Sequence, residues 1–240
     1  ETACMRLAIL LQTCMQNHDS PAFALVHDKI GGEEHRLTTH LLDPGVVSED
    51  LLSMCSGAIM MSGTLFPPEM YYDLLKVPQE RVSIIKEYTS HFLSERRPVL
   101  IAKDVTSRYS DRGEDNTARI RAHIHSVLKQ TPGHVAIFAP SYALLEQILL
   151  EDEDWVVRSR RMLQERSGAS KEEMDRTVET LHRLRREGTP AILAGVLGGK
   201  LAEGVDYPGN ILDAVICIGL PLPPPSSRQD ALRSYYEERY

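Results

Sequence analysis

The sequence predicts an α/β protein built on a mainly parallel sheet with helices on both faces, a three-layer α/β/α arrangement. Three observations carry this reading. Val135–Ala139 and Ala191–Val196 are continuous apolar runs, without the polar alternation of a strand that faces water on one side. Strand-like and helix-like segments alternate through the second half of the chain, the order that generates parallel strands joined by helices. The run from Ala191 to Pro225 passes from one apolar strand through a glycine-rich loop into another. Such a sheet binds ligands outside the carboxyl ends of its strands, where loops replace the ladder.

The elements follow in order. Cys4, Leu7, Ala8, Leu11 and Met15 repeat at three- and four-residue spacing, the stripe of a first helix. Asp19-Ser20-Pro21 breaks it. Phe23–His27 and Leu37–Leu42 suit a hairpin turning near Gly31-Gly32. Leu51–Cys55 reads as a short helix, Ala58–Ser62 as a buried strand, and Glu69–Leu75 as a helix. Val82–Ile85 and Val99–Ala102 are further short strands, and Asn116–Lys129 is a helix whose face carries Ile120, Ile124, Val127 and Leu128. After the strand Val135–Ala139, Ser141 is placed as N-cap of a helix running from Tyr142 to Leu150. Trp155–Val157 reads as a strand. Ser170 opens a helix with Glu173 at the capping-box position and a stripe of Met174, Val178, Leu181 and Leu184. The strands Ala191–Val196 and Ala214–Leu220 complete the sheet, and the proline run Pro221–Pro225 stops the last one.

The chain has 240 residues, 42% hydrophobic and 25% charged, the composition of a folded domain with a substantial core. Its net charge of −7 excludes a general polyanion-binding surface. Contact with nucleic acid must come from local basic spots, of which there are two: Arg96, Arg97, Lys103, Arg108 and Arg112, then Arg158, Arg160, Arg161 and Arg166. Each reads equally as a solvated face with interspersed acids. Four cysteines lack C-x-x-C pairing, so their spacing supports neither zinc nor a cluster. Cys55 and Cys217 sit in apolar runs and read as small buried hydrophobes. Without an apolar run of eighteen or a signal peptide, the expectation is a soluble, intracellular protein, cytoplasmic or nuclear. The nine histidines show no ligand spacing. Both ends lie in mid-element, the expectation for a piece of a longer protein.

Gly195, Gly198, Gly199 and Gly204 fall within ten residues around Lys200, Glu203 and Asp206. Such a loop can bring backbone amides close to a phosphate chain. It is not a phosphate-cradling G-x-x-x-x-G-K-[ST] loop: Gly195 to Gly199 is one residue short, and Leu201 follows the lysine.

Five stretches together carry a resemblance. Gly198–Tyr207 fits GGK-x-x-EG-x-D-[FY] and resembles motif V of the XPD/DinG family of superfamily 2 DNA helicases. Ser62-Gly63-Thr64-Leu65 with Pro67 and Tyr71 is similar to motif III, and Ser107-Arg108-Tyr109 with Arg112 to the segment before motif IV. VAIFAPSY, Val135–Tyr142, resembles motif IV, and Ser227-Arg228 the segment before motif VI. Their order matches the family, and the resemblance extends from about Phe23 to the last residue. It is closest to the XPD type.

The resemblance implies a RecA-like domain, the second motor lobe of an ATP-dependent helicase moving 5′ to 3′ on single-stranded DNA. Residues 1–20 would be a helix carried over from a preceding arch-type region, and residues 21–240 the lobe itself, ending before motif VI. Ser62, Gly63, Thr64 and Glu203 would couple the sites; Gly204, Asp206 and Arg228 would face nucleotide. Ser107, Arg108, Tyr109, Ser141, Tyr142, Gly199 and Lys200 would hold DNA, Lys200 meeting either the backbone or an acid on the partner lobe. A guanidinium beside an aromatic ring suits a phosphate and a stacked base, and a capped helix start suits an anion. The blander alternatives are that Ser62 and Thr64 cap the helix at Glu69, that Tyr109 is core and Arg108 a surface ion pair, that Ser141 is an ordinary cap, and that Asp206 caps a turn before Pro208. ATP and Mg²⁺ would be shared with a first motor lobe carrying the phosphate loop, and the family's iron–sulfur cluster would be ligated outside this stretch. The alternative function is a non-catalytic module of the same fold that docks repair or transcription proteins. A phosphate loop upstream of Glu1 would decide for the motor.

Overall fold

The computed structural model describes residues 2–29, 34–80, 83–90, 94–96, 98–111, 113–150, 152–220, 222 and 225–239. Two compact units emerge, one formed by residues 1–97 with 224–240, the other by residues 98–223. The stretch 21–240, expected as one domain, is divided between them. The hairpin turn at Gly31-Gly32, Val82, Arg97, Arg112 and most of the proline run fall outside the described residues.

In the first unit, α1 (Ala3–Asn17) is capped by the Thr2 side chain and buries none of its residues, so its apolar stripe is exposed. β1 (Phe23–Lys29) and β2 (His35–Leu41) form the expected antiparallel pair, with Val26 opposite Thr38. α2 (Gly45–Met54) starts six residues before the expected helix, and α3 (Pro68–Leu74) one residue before its own. The strands expected at Ala58–Ser62, Val82–Ile85 and Val99–Ala102 are not formed among the described residues, and Ile59, Ile84 and Val99 are exposed. Apolar content makes a strand only where a neighbouring strand supplies its hydrogen bonds, and here no described segment does so.

The second unit is the expected three-layer sandwich. α4 (Glu114–Gln130) has two acids in its first turn and Lys129 in its last, matching the helix dipole. β3 (Val135–Ala139) is buried throughout. α5 (Tyr142–Leu145) continues as a π turn through Leu150. Trp155–Val157 is not a strand. It begins α6 (Trp155–Arg158), because the Asp154 carboxylate accepts the Val156 amide at 2.9 Å as an N-cap. A strand the periodicity missed follows at once, β4 (Arg161–Gln164). α7 (Lys171–Arg186) carries the full Ser170/Glu173 capping box. β5 (Ala191–Val196), α8 (Lys200–Glu203) and β6 (Ala214–Cys217) complete the unit.

The four strands are parallel in the order β4-β5-β3-β6. Val135, Ile137, Ile192 and Ala194 pack with Ile124 and Leu128 of α4 and Leu145 of α5 on one face. Ala136, Phe138 and Leu193 pack with Met174, Leu181 and Leu184 of α7 and Leu201 of α8 on the other. β6 is an edge strand, so Cys217 is exposed rather than buried as expected, and Cys55 is half-buried.

The amino edge of this sheet is tied by polar contacts. The buried His134 ring accepts the Ala191 amide at Nδ1 (3.1 Å) and bonds the Leu181 carbonyl through Nε2 (3.0 Å), so Nε2 carries the proton. Asp213 accepts the His134 amide and pairs with Arg185. Arg160 donates to the carbonyls of Leu128, Thr131 and Gly133, and Arg158 pairs with Glu153. Half of the second basic spot is therefore occupied within the fold. The chain then returns to the first unit as α9 (Ser227–Arg239), whose Tyr235 packs with Ala22 and Leu42.

Candidate functional site

Parallel pairing puts the loops that follow β3 and β5 side by side. Ala139 is in register with Val196, and the Leu197 amide donates to the Ala139 carbonyl at 2.8 Å. Pro140, Ser141 and Tyr142 therefore emerge at the same edge as the glycine-rich loop. Ser141 caps α5, accepting the Leu144 amide at 3.3 Å, so the ordinary-cap reading is satisfied.

Glu165 organises the loop, although no motif or spacing pointed to it. It follows β4 directly and is only 4% exposed. The Lys200 and Leu201 amides donate to its Oε1 (2.8 and 3.4 Å) and the Val196 amide to its Oε2 (3.2 Å). A buried carboxylate is costly unless it is hydrogen-bonded, and backbone amides serve it well. Among the described residues it has no cationic partner. A Cβ on Gly199 would lie 2.5 Å from this carboxylate, and one on Gly195 2.8 Å, so both glycines are needed for close approach. Tyr207 donates to the Leu201 carbonyl at 2.7 Å, and burial together with the Glu165 charge pushes its hydroxyl up to about 12. The same two causes raise Tyr142.

The polar side chains of the loop divide in two. The Lys200 ammonium is 2.5 Å from the Ala169 carbonyl, so the lysine is held at both ends by the 165–169 segment. Glu203 and Asp206 are exposed, and neither carboxylate has a hydrogen-bond or ion-pair partner among the described residues. The turn-capping alternative for Asp206 finds no bond to support it.

A third segment reaches this edge. Ser107 lies against Gly219, which follows β6 with φ +77°. Buried Asn116 of α4 holds the preceding backbone, accepting the Thr106 amide (3.0 Å) and donating to its carbonyl (2.8 Å). Arg108 is exposed and Tyr109 is 84% exposed, so the reading of Tyr109 as core does not hold. Asn116 was legible only as the first residue of the expected helix; its polar side chain in the first turn was the available signal.

Of the candidate residues, Ser107, Arg108, Tyr109, Ser141, Tyr142, Gly199, Lys200, Glu203, Gly204 and Asp206 belong to the second unit. Ser62, Gly63, Thr64 and Arg228 belong to the first. Ser62 and Thr64 are exposed and bond one another at 3.2 Å, and α3 has no side-chain cap, so the helix-cap alternative fails. No group of three His, Cys, Asp or Glu side chains able to hold a metal occurs among the described residues, and no helix there is long and apolar enough to cross a membrane.

Residues 124–240 match the helicase C-terminal domain family. The chain is 29% identical over 234 residues to the ATP-dependent DNA helicase CHL1 of Meyerozyma guilliermondii, covering 88% of this chain and 27% of that protein. It is 26% identical to the general transcription and DNA repair factor IIH helicase subunit XPD/RAD3 of Saccharomyces cerevisiae, covering 78% and 25%. It is 28% identical to the ATP-dependent DNA helicase XPD of Sulfolobus acidocaldarius, covering 70% and 29%. The chain thus spans under a third of each of these relatives. A solved XPD helicase superposes with a TM-score of 0.59 at 19% identity, covering 95% of this chain and 39% of that one. That likeness concerns the fold, which is RecA-like.

Proposed function

We propose, from the premise that this chain carries the C-terminal motor domain of an XPD-family helicase, that its second unit grips single-stranded DNA and passes the state of a nucleotide to that grip. The carrying observation is the register of Ala139 with Val196, which sets the Ser141 and Lys200 loops side by side at one sheet edge. Arg108 and Tyr109, with Ser107 seated at the same edge, offer a phosphate fork beside a ring on which a base can stack. Lys200 adds a cation that exchanges its carbonyl for a phosphate. Movement is 5′ to 3′, as in the family it resembles.

ATP and Mg²⁺ act in the intact protein. These residues fit them only in part, because the loop amides at 196, 200 and 201 already serve Glu165 and no three-carboxylate group is present among the described residues. Glu203 and Asp206 carry the side chains free to respond to nucleotide, with Gly204, whose amide donates to the Lys200 carbonyl, between them; Ser62, Gly63, Thr64 and Arg228 are assigned to coupling and nucleotide on sequence alone. The phosphate loop is assigned to a first lobe, and the four cysteines are free and unclustered, so no iron–sulfur step is assigned here. Repair or transcription proteins are the partner class, and nucleus or cytoplasm the setting.

Fluorescence anisotropy with labelled single-stranded DNA on the full-length parent tests this. Arg108→Ala and Lys200→Ala are expected to weaken binding and Arg186→Ala, on the exposed face of α7, to leave it unchanged. Equal affinity for all three, with no ATP turnover, would favour the non-catalytic docking module.

A further inference from the structure

The glycine-rich loop leaves β5 at Val196 and enters α8 at Lys200. One carboxylate holds both of these points, Val196 through Oε2 and Lys200 with Leu201 through Oε1. The turn Leu197–Gly199 is thereby closed against the side chain that directly follows the neighbouring edge strand. We propose that Glu165 is a positioning residue for the motor, fixing the loop so that a change at Glu203 or Asp206 reaches Lys200. This rests on the reading above that the loop links nucleotide to DNA.

A buried carboxylate without a cation adds little stability that an apolar side chain of similar volume would not. What an apolar side chain cannot do is specify the positions of three amides. The surroundings are arranged for the carboxylate. Gly195 and Gly199 leave room for it, and its charge is close enough to raise the hydroxyls of Tyr142 and Tyr207. Its own amide donates to the Ala194 carbonyl at 2.8 Å, so the group is anchored to the strand that launches the loop. Four residues on, the Ala169 carbonyl takes the Lys200 ammonium. The 165–169 segment thus sets the backbone of Lys200 and provides the resting place of its charge.

Gly199 gives an independent handle. Its φ of −79° and ψ of 168° suit any residue. An alanine there meets the Glu165 carboxylate first, and it neither removes an acceptor nor changes a charge.

The test uses the full-length parent and reads ATP turnover with and without single-stranded DNA. Glu165→Gln, which puts an amide NH2 donor in place of one of the two oxygens that accept the three backbone amides, is expected to lower the ratio of DNA-stimulated to basal turnover about tenfold, the scale of a coupling between sites. The melting temperature is expected to stay within about 5 °C. Gly199→Ala is expected to give the same signature. Glu165→Ala combined with Gly199→Ala is expected to be no worse than Glu165→Ala alone, because both substitutions act on one contact. A ratio unchanged in Glu165→Gln, a loss tracking the unfolded fraction, or additive defects in the double variant would each overturn the proposal. A wild-type parent whose turnover ignores DNA would overturn the functional reading beneath it, a result distinct from the other three.

Discussion

The Lys200 ammonium rests 2.5 Å from the Ala169 carbonyl, while the Lys200 amide is fixed 2.8 Å from Glu165. A neutral carbonyl is a weak partner for an ammonium, so the charge is stowed rather than neutralised. Lys200→Ala in the full-length parent is expected to weaken single-stranded DNA binding and to reduce the slope of log affinity against log salt by about one, the mark of a single lost phosphate contact. Salt titration by anisotropy measures this. An unchanged slope with a lower melting temperature would make the lysine a tether of the 165–169 segment only.

The amino edge of the sheet is expected to be acid-labile. Burial keeps the His134 imidazole below its ordinary value near 6.5, against the upward pull of its bond to Leu181. The unfolded chain takes up a proton near pH 6.5 where the folded chain does not. Stability is therefore lost as pH falls below about 6.5, by at most about 1.4 kcal/mol per pH unit, until the folded value is passed. Hydrogen exchange of the β3 and β5 amides between pH 7.5 and 5.5, corrected for intrinsic rates, is expected to show falling protection. Constant protection would contradict the buried neutral ring.

Asp213 adds a second acid-sensitive term at the same edge. The bond from Arg185 holds its carboxyl below the ordinary carboxylate range, so its contribution is complete above that range and fades as pH falls through the lowered value. Asp213→Asn is expected to destabilise the second unit by about 1–2 kcal/mol, because the Arg185 pair is half-exposed and screened. Denaturant unfolding followed in the second unit checks the magnitude.

In the first unit, Asp43 ties α9 to the segment after β2. Burial works against its charge, but the Tyr235 hydroxyl (2.7 Å), the Gly45 amide (2.8 Å), Lys76 and Arg239 outweigh it and the carboxyl is lowered. Tyr235→Phe is expected to cost about 1–2 kcal/mol, since the acid keeps its other donors. Asp43→Ala is expected to cost more, leaving the tyrosine and arginine without their acceptor. Protection of α9 amides in hydrogen exchange reads both; an α9 indifferent to Asp43→Ala would contradict the tie.

What the sequence disclosed follows from range. Val135–Ala139 and Ala191–Val196 declared themselves because a strand buried on both faces must be apolar throughout, and Ser170 with Glu173 because a capping box is local. Ala58–Ser62 misled because apolarity describes what a strand needs and says nothing about whether a partner is present. Trp155–Val157 misled because an aromatic and two β-branched residues suit a strand, while the Asp154 cap that starts a helix there is a single side chain. Glu165 was invisible because its partners lie 31 to 36 residues downstream and are backbone amides, which leave no trace in composition. The candidate residues of the second unit were legible as motifs, but not the carboxylate that holds their loop.

In the function proposed, the 196–206 loop carries a signal between nucleotide and DNA. Asp206 tests it most directly, because it is exposed and has no partner among the described residues that a structural role would need. The measurement is DNA-stimulated ATP turnover of the full-length parent carrying Asp206→Asn, with the melting temperature taken on the same preparation. The prediction is a stimulation reduced about tenfold with a melting temperature changed by less than about 2 °C. Full stimulation, or a large loss of stability, would contradict it.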